Sequence, residues 1–152
     1  MNRKDLKLEL YELCLNFMHQ RMETAETALA QAQEASNDDT KSSAGDKFET
    51  TREMMQQDIS RNKSLLADAK QNLMVLKSLQ NVPVSEVVRN GSLVYTSKAI
   101  FYLSISAGHL NDDAMPIFAI SAASPVGQLM VSKKVGDSFT FNNKEYLIEK
   151  IA

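Results

Sequence analysis

A chain with no proline and a single glycine ahead of Pro83 has few places to turn. Here that glycine, Gly45, lies in the polar stretch Asn37-Asp38-Asp39-Thr40-Lys41-Ser42-Ser43-Ala44-Gly45-Asp46. On either side the apolar residues keep helical spacing. Leu8, Tyr11, Leu15, Met18, Met22, Ala25, Leu29 and Ala32 recur every three or four residues before it. Phe48, Arg52, Met55, Ile59, Asn62, Leu66, Ala69, Leu73 and Leu76 do so after it, with Arg52 and Asn62 as polar interruptions. A stripe of that period is what a helix facing one partner helix needs. Residues 1–81 therefore read as an antiparallel coiled-coil helical hairpin with an acidic tip within 36–46. Each arm has roughly 30 to 35 residues and so reaches on the order of 45 to 50 Å.

A second apolar stripe, Leu6, Leu10, Leu13 and Phe17, runs beside the first near the chain start. Two stripes predict burial on two sides, and packing against the rest of the protein explains this more simply than a groove for a foreign helix. Toward the tip the seam thins to Ala25, Ala28, Leu29 and Ala32, which bury little. Ser43, three residues ahead of Asp46, resembles a capping box with aspartate in the usual glutamate position, and Asp46 and Glu49 bring negative charge to the first helical turn. That is a structural role for both acids. Asp38 and Asp39 have one too, as solvated or turn-forming loop acids. Local sequence alone does not separate these roles from a metal site.

Residues 82–152 change character. All three prolines and four of the five glycines lie there. Asn81-Val82-Pro83 closes the helix, because proline disfavours helical backbone in the residue before it. Ser92–Thr96, Ile100–Ile105 and Ile117–Ile120 are rich in branched and aromatic residues and read as strands. Ser124 and Pro125 suit the cap and first position of a short helix over 125–132. Phe139–Phe141 and Glu145–Ile148 around Asn142-Asn143 read as a hairpin. The expected fold class is α+β: the helical hairpin, then a small domain with an antiparallel sheet and one short helix.

Charge points away from direct nucleic-acid binding. Eleven of the 17 basic and 13 of the 19 acidic residues fall in the helical half, so neither part is a cationic, phosphate-neutralising surface. No apolar run approaches a membrane span, and Met1-Asn2-Arg3-Lys4-Asp5 leads into an amphipathic helix, not a signal peptide. The expectation is a soluble, cytoplasmic protein. One cysteine cannot form an internal disulfide, which suits a reducing compartment. Cys14 sits mid-helix with no cation arranged to activate it, so packing is its expected role. His19 and His109 are isolated, the latter in an expected Gly-His turn. Phosphate-cradling glycine loops, HExxH and CxxC pairs are missing. Magnesium takes oxygen ligands, often only one or two of them protein carboxylates. Tip acids are thus suited to completing a magnesium site supplied mostly by another protein.

The helical hairpin, the tip Asp39-Thr40-Lys41-Ser42-Ser43-Ala44, the segment Asn90-Gly91-Ser92-Leu93-Val94, and above all Ser124-Pro125-Val126-Gly127 with Lys133-Lys134-Val135-Gly136-Asp137 resemble the Gre-type (GreA/GreB) transcription elongation factors. The resemblance covers nearly the whole chain, and the C-terminal motif pair is its most specific part. It implies an FKBP-like C-terminal domain that docks on RNA polymerase at the rim of the secondary channel. The hairpin would enter that channel, and its acids would help hold a second Mg2+ and its water while the polymerase cleaves its own backtracked transcript. The protein would then be a cofactor of the polymerase's nuclease activity, not an enzyme in its own right. Mg2+ would be shared with the polymerase and not held stably by this chain alone, and contact with nascent RNA would be indirect. The resemblance further implies no membrane association, no sequence-specific DNA binding and a monomer.

Asp39 matches the first acidic position of the family's tip. The second acid, expected three residues later, is Ser42, and the family's acid and aromatic after the alanine are displaced to Asp46 and Phe48. The resemblance thus makes Asp39, Asp38 and Asp46 the acids that act in cleavage, and Asp39, Asp46 and Glu49 the metal ligands. Because serine carries no carboxylate charge, the alternative is a Gre-like regulator that occupies the channel without cleavage. A peptidyl-prolyl isomerase or chaperone-like module, suggested by the FKBP-like domain, and a dimerising coiled-coil adaptor are the other classes.

Overall fold

A computed structural model of the chain describes the backbone of residues 3–39, 46–111 and 115–152, and side chains over 6–37, 50–110 and 115–152. Two long helices open the fold, α1 (Arg3–Asp39) and α2 (Asp46–Ser78), and a six-stranded mixed sheet with one short helix follows. The fold class is α+β. The residues cluster into two compact units: Met18–Leu73, and a second unit formed by Met1–Phe17 together with Met74–Ala152.

In Met18–Leu73 burial keeps the heptad spacing of the sequence. Met18, Met22, Ala25, Leu29, Ala32 and Ser36 of α1, and Met55, Ile59, Asn62, Leu66, Ala69 and Leu73 of α2, are all buried or half-buried. Arg52, the first polar interruption, is exposed. Asn62 lies in the buried stripe, and its Nδ2 donates to the Asp58 carbonyl at 2.9 Å, so part of its polarity is satisfied within its own helix. The Arg61–Asp58 ion pair spans 3.3 Å on the exposed side. Such pairs contribute about 0–1 kcal/mol, so burial of the apolar stripe stabilises these helices more.

The second unit is built on the sheet. Its strands are β1 (Leu93–Thr96), β2 (Ile100–Leu103), β3 (Gly108–Asn111), β4 (Ile117–Ile120), β5 (Ser138–Phe141) and β6 (Lys144–Ile151), in the order β3-β4-β2-β1-β6-β5. Between β4 and β5 lies α3 (Pro125–Met130). The antiparallel sheet expected from the sequence is corrected to a mixed one: β2 and β4 run parallel, pairing Phe101 with Phe118. The connection 104–116 is long enough for a crossover, which two adjacent hairpin-like strand signals do not reveal. Part of that connection is β3, which the sequence reading missed. Gly108-His109-Leu110-Asn111 carries no β-branched residue, and His109 is in a strand against Phe118, not in a turn.

Alternation along the strands assigns two faces. Val94, Phe101, Leu103, Met130, Phe139, Ile148 and Ile151 form the core on the α3 side. On the opposite face of β2 lies Tyr102, only 1% exposed, and Cys14 Sγ of α1 is 3.9 Å from Ser104 Oγ just beyond that strand. The start of α1 thus buries Leu10, Tyr11 and Cys14 in this unit. These three residues make one buried stripe where two were expected, and Leu8 and Leu13, one from each expected stripe, are exposed. Asn142 and Asn143 both adopt positive φ, as a two-residue hairpin turn requires, and join β5 to β6.

Candidate functional site

The acidic tip is bounded by two helix ends. Asp38 and Asp39 are the last two residues of α1, Asp46 is the first of α2, and Glu49 follows in its first turn. The side chains of these four acids, and residues Thr40–Gly45 with Ser42 and the Ser43 cap, lie outside the described residues. The helix ends nevertheless separate the acids into two kinds. Asp46 and Glu49 are at a helix N-terminus, where the partial positive charge stabilises a carboxylate by about 0.3–1 kcal/mol. Asp38 and Asp39 are at a helix C-terminus, where the dipole is unfavourable to anions, and no basic residue in the last turn of α1 offsets them. Helix stability is thus a role open to the first pair, and a turn-forming role is open to the second.

Among the described residues no three or more His, Cys, Asp or Glu side chains gather as a metal site would need. Cys14 is fully buried, and burial pushes its thiol up to about 11, only partly countered by the hydrogen bond with Ser104. It stays protonated at neutral pH and packs as a small apolar group. Burial raises the Tyr102 hydroxyl above the usual tyrosine range, with the nearby Cys14 and Tyr11 adding to it, and raises Tyr11 with help from Glu12. His19 is exposed on α1. This buried group of Tyr11, Cys14, Tyr102 and Ser104 was not legible in the sequence, since Cys14 and Ser104 alone are 90 positions apart.

The two C-terminal motifs are backbone devices. Ser124 Oγ accepts from the Gly127 N–H at 3.1 Å and donates to the Ser121 carbonyl at 2.7 Å, capping α3 with Pro125 in its first turn. A Cβ on Gly127 would lie 2.2 Å from the Ser121 oxygen, so only glycine fits. In the second motif the Lys134 N–H donates to Asp137 Oδ2 at 2.9 Å and the Asp137 N–H donates to the Lys134 carbonyl at 3.0 Å. Gly136 supplies the positive φ of 95° that this turn needs. Gly136 N–H donates to Ile148 O and Ile148 N–H to Asp137 O, fastening the turn to β6. The preceding residues clamp a third segment: Val88 N–H donates to Lys133 O, and Ser132 N–H to Val88 O. In the Asn90-Gly91-Ser92 segment, Ser92 Oγ accepts from Arg89 N–H, and Gly91, at φ 90°, packs against Val82.

Around these turns the domain leaves apolar side chains in solvent. Val87, Val131 and Val135 are each more than a third exposed, and Val87 pairs with Lys134 across an isolated bridge. Sequence reading missed them because lone valines in polar loops carry no periodic signal. A scan of protein-family models and a search of curated proteins each returned no match to this chain.

Proposed function

We propose that the chain is a Gre-type RNA polymerase-binding factor whose two long helices pair as an antiparallel coiled coil, enter the secondary channel and stimulate cleavage of backtracked transcripts. In this reading residues 82–152 are an FKBP-like docking domain. The observation that carries it is the element order at the tip: α1 ends on Asp38 and Asp39 and α2 begins on Asp46, so two long helices bracket the acids that the resemblance singles out. The likeness of the Ser124–Gly127 and Lys133–Asp137 motifs to the family supports it, as does their service as the cap and turn that hold the domain's loops. Exposed Val87, Val131 and Val135 beside Lys134 offer an apolar surface with a cation for docking.

The donor chemistry of the tip suits magnesium, since Asp38, Asp39, Asp46 and Glu49 offer only carboxylate oxygens. Asp39 and Asp46 would hold the ion, with Glu49 or Asp38 supporting them, and the polymerase would supply the remaining ligands. When bound, such an ion lowers the pKa of a coordinated water and polarises the phosphodiester. The chain's own part is to carry negative charge to that place and exclude bulk water.

Ser42 in the position of an expected acid favours one second reading, a regulator that fills the channel without cleavage. Adding the pure protein to stalled, backtracked elongation complexes of its own polymerase separates the two. Shortened transcripts that depend on magnesium support cleavage stimulation. Binding at saturation without shortening moves the protein to the non-cleaving class, and no binding refutes both.

A further inference from the structure

We draw no further inference here: the strongest candidate, the row of rings His109, Phe118, Tyr146 and Phe141 that is only partly covered on the α3 face of the sheet, is an apolar face with nothing in the structure to show what covers it.

Discussion

Gly127→Ala places one methyl group where the backbone leaves no room. The new Cβ would meet the Ser121 carbonyl oxygen at 2.2 Å, Ser124 Oγ at 3.0 Å and the Ala122 carbonyl carbon at 3.1 Å. The first contact involves backbone, so a side-chain rotation cannot relieve it. Reaching an ordinary C···O separation of about 3.3 Å requires α3 or the 121–124 loop to move by roughly 1 Å. That movement strains packing around Met130, which is fully buried, at a cost of about 1–3 kcal/mol. It also pulls Gly127 N–H from Ser124 Oγ, and losing a helix cap costs about 0.5–2 kcal/mol. The expected total is about 2–4 kcal/mol. All four tyrosines lie in the unit made of Met1–Phe17 and Met74–Ala152, and the chain has no tryptophan, so tyrosine fluorescence reports unfolding of that unit alone. With a urea slope of about 1–3 kcal/mol/M, the midpoint should fall by roughly 1–2 M. Ser124→Ala alone should cost about 1 kcal/mol. The double variant should cost less than the sum, because both lesions remove the same cap. A Gly127→Ala protein within about 0.5 kcal/mol of wild type, the range of an ordinary surface substitution, would refute the close-contact argument.

Three further outcomes follow. The Cys14 thiol titrates higher in the fold than when unfolded, so its contribution is present below the unfolded pKa and lost as pH rises toward about 11. Between pH 8 and 10.5 the wild type should therefore lose up to about 2 kcal/mol more stability than Cys14→Ala, and equal pH slopes in urea titrations would reject this. Asn62→Leu replaces a buried polar group in the α2 stripe and should raise the helical melting midpoint by about 1 kcal/mol equivalent, read by far-UV circular dichroism. A loss of stability would mean that Asn62 has a polar partner beyond its own helix. Asp39→Asn removes charge from a helix C-terminus, so stability should hold or rise by up to about 1 kcal/mol. On the proposed reading, transcript cleavage should fall at least tenfold with polymerase binding intact, and undiminished cleavage would remove Asp39 from the metal role.

Local chemistry was legible where one segment decides its own shape. Ser124-Pro125 marked the start of α3, Asn142-Asn143 marked the β5–β6 turn, and the heptad stripes marked both long helices. What failed depended on partners distant in sequence. The parallel β2–β4 pairing is set by the chain's route between two strands whose own residues suit either direction. In β3, pairing with β4 overrides a weak local preference. Leu8 belongs to an expected apolar stripe of α1 and Cys14 to none, yet Cys14 is buried and Leu8 exposed. At the tip, sequence supplied the acids and helix ends supplied their electrostatic setting. Ser42 departs from the pattern of the family that the tip resembles, and a pattern of residues carries no geometry with which to judge that departure.

Because the sheet-bearing unit is assembled from Met1–Phe17 and from Met74–Ala152, its pieces leave the ribosome at different times. Cys14 must wait for Ser104, 90 positions later, and at about 5–20 residues per second that interval is roughly 5–20 s. Throughout it, Leu10 and Tyr11 have no sheet to cover them. For that interval these side chains are open to chaperones, and a contact across 90 positions is of the kind that slows folding.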